Sequence, residues 1–313
     1  MDDLSLHFKK HSTHPTCRIV IDSCSDVTSA MAQEFGVDLI EFPFVMEDGD
    51  HLDDQFVSLT ADEFYGRMRA GERVQTSSIP LGRFVEIFEH CAADGIPTLY
   101  LSFTAGLSRS VIDAQQAATM VRASHPDFDL VVMDNCLPAL TAALLAEEAC
   151  RMRDDGVPMH DIAARCDQIK SCVHGYFTLE SLDWLVAGGR VPKAAATLTA
   201  MLDMKPNLTY DLDGALMLTG VSRGRKKALK NIIKELKANY NGDPGRSIGI
   251  VDAGCPEDAD AVEQMVREEL GDACPRICRM PLDPTIGAHV GPGMVALAFW
   301  GTDRTTSSKR GKR

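Results

Sequence analysis

The first half of the chain alternates short apolar segments with helical segments, and this alternation limits the possible fold more than any other feature of the sequence. Strands are predicted over residues 18–22, 37–43, 98–102 and 129–134, and each is followed by a helical segment or a turn leading to one. Parallel strands need crossover helices, which cover the faces of the sheet. The sequence therefore predicts an α/β domain built on a mostly parallel sheet with helices on both faces.

The length of the chain and a turn-forming segment near its middle predict a second α/β domain. A chain of 313 residues exceeds the usual size of one domain, and a break is expected at residues 154–158. We therefore predict an N-terminal α/β domain over 17–157 and a C-terminal α/β domain over 158–301. Residues 1–16 are predicted to be a flexible arm and residues 302–313 a basic, disordered tail.

Composition and charge exclude several classes of function. The net charge of -13 and the pI near 5.1 argue against general nucleic-acid binding, which needs a basic surface. The apolar runs are strand-sized, so no stable membrane insertion is predicted. The N-terminal sequence lacks a signal-peptide pattern, and the ten cysteines form no CxxC pair. These features predict a cytoplasmic protein with free thiols.

Familiar catalytic and cofactor motifs do not occur in the sequence. It contains no Walker-type loop, no GxGxxG after a strand, no GxSxG elbow and no HExxH pair. Neighbouring carboxylates lie on predicted turns and helix faces, where solvation is the simpler explanation. We therefore predict no cofactor, no metal and no catalytic residue.

Two hydroxyl-rich segments precede predicted helices. Thr76-Ser77-Ser78 lies before Pro80, and Ser108 lies in the loop 103–110, which follows a predicted strand. Hydroxyls at a helix entrance cap the helix, or they bind a carboxylate or phosphate together with backbone N–H groups. Both interpretations remain open at this point.

Residues 179–229 form the central stretch of the second half. A short amphipathic helix is predicted to end at Gly188-Gly189, where a glycine pair permits a left-handed turn and a close approach by another group. A helix over 194–204 is predicted to end before Pro206. Two strands, 207–210 and 215–218, are joined by Asp213-Gly214, a strong hairpin signal.

Cations lie at the ends of these predicted elements. Arg190 follows the glycine pair, and Arg223 and Arg225 open the next, basic helix; Lys205 is a fourth candidate. Guanidinium groups in such places suit an anion, although ordinary surface ion pairs would explain each of them equally. His289 lies in the Gly/Pro-rich segment 287–293, predicted to be a loop at a cleft; a structural histidine is the alternative.

Taken together, these motifs resemble the DegV family of fatty-acid-binding proteins, which includes the FakB subunits of bacterial fatty acid kinase. The resemblance covers Arg18 to Trp300. The matching pieces are Ile21-Asp22-Ser23 with Asp26, Thr76-Ser77, Gly106-Leu107-Ser108, Leu179, Gly188-Gly189-Arg190, Lys205-Pro206, Asp213-Gly214, Arg223 with Lys226-Lys227-Ala228-Leu229, and His289-Val290-Gly291-Pro292-Gly293.

The resemblance implies one long-chain fatty acid buried between the two domains. It implies that the carboxylate is bound by residues of both halves, and that a separate ATP-dependent kinase converts the presented acid to an acyl phosphate. The implied carboxylate-binding residues are Thr76, Ser77, Ser108 and His289. The implied head-group, phosphate or partner contacts are Arg190, Arg223 and Arg225.

The sequence departs from the family pattern at two places. Ser78-Ile79-Pro80 replaces the usual continuation after Thr76-Ser77, and Arg109 and Ser110 replace a glycine and a threonine.

Two other functions stay open: a hydrolase or acyltransferase that uses Ser108 or Thr76 with His289, and a lipid-linked regulatory module suggested by the basic tail. Chain length, saturation and branching of the acid are not predicted.

Overall fold

In the computed structural model, residues 16–191 and 203–307 are described. The strands, in chain order, are β1 (Arg18–Asp22), β2 (Asp38–Ile40), β3 (Pro43–Met46), β4 (Gly49–Leu52), β5 (Gln75–Thr76), β6 (Thr98–Ser102), β7 (Leu130–Asp134), β8 (Val173–Thr178), β9 (Met204–Tyr210), β10 (Leu216–Arg223), β11 (Ile248–Asp252), β12 (Ile277–Pro281) and β13 (Val295–Trp300). The α-helices are α1 (Ser29–Phe35), α2 (Ala61–Arg69), α3 (Leu81–Asp94), α4 (Ser110–Ser124), α5 (Leu140–Asp154), α6 (Met159–Ile169), α7 (Asp183–Ala187), α8 (Arg225–Asn239), α9 (Pro256–Leu270), α10 (Pro284–Val290) and α11 (Arg304–Ser307). Across the described ranges, every helix is too short or too polar to span a bilayer.

The first sheet has the strand order β2-β1-β6-β7, and all its neighbouring strands are parallel. Side chains alternate between its two faces. Ile19 and Leu99 belong to the core that includes α5 and α6, whereas Val20 and Tyr100 pack among α3 and α4. The parallel sheet with helices on both faces is therefore confirmed.

The second sheet has the order β10-β9-β8-β13-β11-β12, in which β11 and β12 are parallel and the other neighbours antiparallel. Helices α8 and α9 cover one face, where Ile232 and Val262 share a core with Leu297. The opposite face carries Ala296 and Ala298, which pack toward the core of the first sheet. The chain thus contains two α/β units that face each other.

Helix α5 lies between the two sheets. It packs against β1 on one side and against β8, β11 and β13 on the other, and eleven of its fifteen residues are buried. The boundary predicted at residue 157 follows this helix, but α6 returns to pack on β6 and β7 of the first sheet. One hydrophobic core therefore extends across both units.

A small antiparallel sheet, β4-β3-β5, was not predicted. The single strand predicted over 37–43 is divided into β2 and β3, because β3 leaves the first sheet to pair with β4 and β5. In this sheet Thr76 of β5 pairs with Phe44 of β3. The small sheet thereby holds Thr76 at a fixed position beside the first domain.

The central stretch differs from its prediction at two points. The predicted helix over 194–204 lies mostly outside the described residues, but its last residue is wrong, because Met204 begins β9. Pro206 lies inside that strand, whose extended backbone suits the residue before a proline. The hairpin at Asp213-Gly214 is confirmed. Arg223 ends β10 instead of opening a helix, and α8 begins at Arg225.

The predicted disordered tail begins too early. His174 Nε2 donates to the Thr302 carbonyl oxygen at 2.6 Å, and the Arg304 guanidinium of α11 lies 4.4 Å from the centre of the Tyr210 ring. These contacts attach residues 302–306 to the second sheet. Residues 308–313 lie outside the described part of the chain.

Candidate functional site

An apolar pocket lies between the inner face of the second sheet and the loops that follow strands of the first. It contains about 910 Å³ of space free of protein atoms, part of it continuous with solvent. Its apolar and aromatic walls include Phe42, Phe103, Leu107, Leu140, Phe177, Leu185, Tyr210, Leu216, Val251, Ile286, Val290 and Met294. The predicted site residues that line it are Thr76, Ser77, Ser108, Arg190 and His289.

His289 lies in the last turn of α10, so its predicted loop position is wrong. Asp283 caps this helix by accepting a hydrogen bond from Ile286 N at 2.8 Å, and Pro284 occupies the first position. Gly291 ends the helix with φ +77°. The glycines and prolines of this segment therefore mark helix ends. The helix places His289 Nε2 2.8 Å from Thr76 Oγ1.

The imidazole of His289 is uncharged at neutral pH. Burial lowers the pKa of His289 to about 4, and the positive charge of Arg190 acts in the same direction. Its Nδ1 atom is buried and has no hydrogen-bond partner among the described residues. That atom faces Gly188, where a β-carbon would overlap the ring. The close approach predicted at the glycine pair is thus made by His289.

Ser108 lies in the loop between β6 and α4. Its Oγ accepts a hydrogen bond from Ser110 N at 3.2 Å, and Ser110 Oγ accepts one from Ile79 N at 3.3 Å. The two hydroxyl-rich segments are therefore tied together at the pocket. Because α3 begins after Pro80 without a side-chain cap, the alternative that the first segment caps this helix is wrong.

Arg190 supplies a positive charge at the pocket. Gly189 precedes it with φ +71°, a conformation that favours glycine. The Arg190 Nη1 group donates to the Gly188 carbonyl at 2.6 Å, and Nε donates to the Leu107 carbonyl at 3.4 Å. The side chain is exposed and forms no ion pair with a carboxylate in the described part of the chain. Its charge is therefore available to an anion.

The other predicted cations lie outside the pocket. Arg225 pairs with Asp258 at 2.7 Å and donates to the Gly293 carbonyl at 2.6 Å, which joins α8 to the segment before β13. Lys205 pairs with Glu180. For these two residues the alternative of ordinary ion pairs fits the structure. Arg223 is exposed at the end of β10.

Comparison with known proteins agrees with this architecture. The sequence profile described as "Uncharacterised protein, DegV family" matches residues 16–301. The chain belongs to the DegV family. A DegV domain-containing protein of Clostridium perfringens is 30% identical over 283 residues, which cover 90% of this chain and 97% of the relative. One from Streptococcus pyogenes serotype M3 is 30% identical over 287 residues, with the same coverage.

Solved DegV structures share the two-domain fold. A stearic-acid-binding protein from Eubacterium ventriosum superposes with a TM-score of 0.81 at 23% identity, over 92% of this chain and 99% of that protein. A fatty-acid-binding DegV protein from Thermus thermophilus gives a TM-score of 0.79 at 23% identity, over 92% and 100%. At this identity the likeness establishes the fold.

A group of buried carboxyls lies beside the pocket of this DegV protein, and we name it the carboxyl cluster: Asp22, Asp26, Asp53 and Asp283. Asp26 Oδ1 accepts a hydrogen bond from Asp283 N at 2.9 Å, and Asp53 Oδ2 accepts one from Thr285 Oγ1 at 2.7 Å. Because Asp283 and Thr285 begin α10, the cluster attaches the helix that carries His289 to the first domain.

Burial makes the carboxyl cluster hard to ionise. It raises the pKa of Asp22 to about 7 and that of Asp26 to about 6, and it also raises the pKa of Asp53 and of Asp283. Three donor atoms, from Cys24, Asp53 and Asp283, lie within 4.8 Å of one another, close enough to hold a metal ion. The hydrogen bonds to α10 give these carboxyls a structural role as well.

No pattern in the sequence indicates this cluster as a unit. Asp22 and Asp26 follow β1 and belong to the motifs shared with DegV proteins, but Asp53 and Asp283 come from distant segments without a local pattern. Arg109, which replaces the glycine of the DegV motif, adopts φ -84°. Since any residue adopts that angle, the replacement introduces no backbone strain.

Proposed function

We propose that this DegV protein binds one long-chain fatty acid in the pocket, with the carboxylate at Thr76 and Ser108. The observation that carries the proposal is a set of hydroxyls and one cation on the wall of a pocket lined mostly by apolar side chains. Each buried methylene of an acyl chain contributes about 0.8 kcal/mol, while a buried carboxylate needs hydrogen bonds. The fatty-acid-binding relatives support this ligand class.

The Thr76–His289 bond prepares the threonine hydroxyl for this role. When His289 Nε2 carries the ring proton, it donates to Thr76 Oγ1 and leaves the hydroxyl proton of Thr76 for the ligand. The same tautomer leaves Nδ1 unprotonated, and this atom has no hydrogen-bond partner among the described residues. Ser77 and Ser108 supply further hydroxyl donors, and Arg190 balances the carboxylate charge.

Replacing Thr76 and Ser108 together by alanine is expected to lower fatty acid affinity by about tenfold to a hundredfold, because two donors to the carboxylate are lost. Native mass spectrometry of the purified protein, followed by titration of delipidated protein with oleic acid, measures the loss. Ser58→Ala, a hydroxyl deletion on an exposed segment away from the pocket, is the control. Wild-type protein that takes up no fatty acid would refute the proposal.

We further propose that the protein presents the acid to a separate ATP-dependent kinase in the cytoplasm. The carboxylate oxygen would attack the terminal phosphorus of ATP, giving an acyl phosphate and ADP. The added phosphate carries more negative charge, which the exposed Arg190 would balance. The lack of a Walker-type or GxGxxG motif in the sequence agrees with an ATP site on another protein.

The basic side of α8 is the proposed kinase-docking face. Lys226, Lys227, Lys230 and Lys234 are exposed there, beside Arg223. An Arg223→Ala/Lys226→Ala variant is expected to raise the KM of the kinase for the loaded protein several-fold, more strongly at low salt, because steering charges are removed. Arg267→Ala on α9 is the matched control. Equal kinetics for both variants and wild type would exclude this face.

A second candidate function is hydrolysis of acyl esters, which the Thr76–His289 hydrogen bond favours. Ser108 is bonded to Ser110 rather than to His289, so Thr76 is the better nucleophile. The lowered pKa of His289, however, makes it a weak base. Ester turnover by delipidated protein that disappears in His289→Ala would favour this function over binding alone.

A further inference from the structure

The lining of the pocket runs along β13 away from His289. Met294 lines the pocket together with Val290, the residue after His289, and Ala296 and Ala298 follow on the same face of the strand. At about 3.3 Å per residue, Ala298 lies roughly 13 Å beyond Met294. Ala298 is paired with Gly175 of β8. The pocket therefore has a distal end at Gly175, far from the head-group residues.

A tyrosine stands at this distal end. Tyr210 lines the pocket and is only 3% exposed, and its hydroxyl donates to the Val173 carbonyl at 2.9 Å. A β-carbon at Gly175 would lie 2.9 Å from Tyr210 Cε1 and 2.7 Å from Thr141 Cγ2. The phenol ring and the threonine methyl group thus both pack over the glycine and occupy the space above it.

The C-terminal helix fixes this ring from outside the pocket. The Arg304 guanidinium lies 4.4 Å from the centre of the Tyr210 ring. It also donates to the carbonyls of Tyr210 at 3.0 Å and Asp211 at 3.2 Å. Ser171 provides a third carbonyl at 3.3 Å. The ring is therefore held by its hydroxyl at one end and by a stacked cation, which restricts its rotation.

We propose that Tyr210 is the end wall of the acyl pocket and sets the greatest chain length that the protein accepts. The inference rests on the proposed fatty acid binding and assigns chain-length selection within it. An apolar pocket distinguishes ligands that differ by one methylene by about tenfold or more when the extra group has no space. A rigid wall of this kind therefore gives a sharp upper limit.

Native mass spectrometry of delipidated full-length protein, mixed with an equimolar series of straight-chain saturated acids, tests the proposal. Tyr210→Ala and Tyr210→Leu are expected to shift the bound acids toward longer chains, with the ratio of the next longer acid to the preferred one rising at least about tenfold. Tyr210→Phe keeps the ring and is expected to keep the wild-type distribution. If the Tyr210→Ala variant does not fold, the distribution of acids bound by the Tyr210→Leu variant tests the proposal.

Tyr176→Leu is the matched control, because Tyr176 follows Gly175 on β8 and packs against the core on the opposite face of the sheet. An unchanged distribution in a folded Tyr210→Leu variant would overturn the end-wall proposal while leaving fatty acid binding intact. An equal shift in Tyr176→Leu would overturn it too. Wild-type protein that binds none of the acids would instead refute the proposed function, and chain-length selection with it.

Discussion

Gly188→Ala is expected to lower fatty acid affinity by about tenfold to a hundredfold and the free energy of unfolding by about 1–3 kcal/mol. A β-carbon at Gly188 would overlap the imidazole of His289. The backbone at Gly188, with φ -81° and ψ -6°, suits any residue, so the overlap alone forbids a side chain. The ring must move, and its hydrogen bond to Thr76 is lost. Isothermal titration with oleic acid and urea unfolding measure the two effects.

Gly189 provides the matched control for this prediction. It has φ +71°, and a β-carbon there would meet nothing within 4 Å. Asparagine tolerates the left-handed region better than most residues, so Gly189→Asn is expected to leave fatty acid affinity unchanged. A Gly188→Ala variant that binds as tightly as wild type would show that the position of His289 does not matter for the ligand.

The carboxyl cluster is expected to make the protein less stable as the pH rises. Each of its carboxyls has a pKa raised above the ordinary value near 4. A group of this kind stabilises the fold fully below its unfolded pKa, and this contribution is lost as the pH rises through the folded pKa. With folded values of about 6 for Asp26 and about 7 for Asp22, the loss falls between about pH 4 and pH 7.

Asp26→Asn isolates this effect. The amide group is close in shape to a protonated carboxyl and donates a hydrogen bond at every pH. Urea unfolding from pH 5 to pH 8 is expected to show wild type losing about 1–3 kcal/mol more than the variant. The lowered pKa values of His289 and His174 act in the opposite direction, below about pH 6.5. They affect both proteins equally, so parallel curves would contradict the prediction.

The neighbours of Asp26 define what else responds to pH in this experiment. Asp53 and Asp283 are the carboxyls that act directly on Asp26, and Asp22 acts on Asp53; Cys24 and Tyr65 are weaker acids beside the same carboxyls. Burial raises the pKa of both the Cys24 thiol and the Tyr65 phenol. Neither of them ionises between pH 5 and pH 8, so the change with pH comes from carboxyls.

The sequence predicted elements well where local signals determine them. Apolar runs and caps placed β1, β6 and the helices around them, because alternation and capping act over a few residues. His289 and Pro206 show where local signals failed. The glycines and prolines around these residues predict a loop at His289 and a helix end before Pro206. In the structure, the Asp283 cap starts a helix that includes His289, and pairing with β10 places Pro206 inside a strand.

Local signals also predict some residues of the candidate site and miss others. Thr76, Ser108 and Arg190 were predicted because each lies at the end of an element, where side chains reach a cleft. Arg225 shares that position but is held by Asp258 and the Gly293 carbonyl, partners that no spacing in the sequence indicates. The carboxyl cluster and the role proposed for Tyr210 depend on contacts across more than 30 residues of sequence, which periodicity does not record.

The position of α5 limits how the two halves of the molecule can move relative to each other. Because α5 packs against both sheets, neither half can rotate away from the other without breaking the contacts of α5 with one of the sheets. A hinge motion that separates the two halves about a linker is therefore disfavoured in this architecture. Entry and exit of an acyl chain would instead involve small local displacements of residues at the pocket opening, while the two halves keep their positions relative to α5.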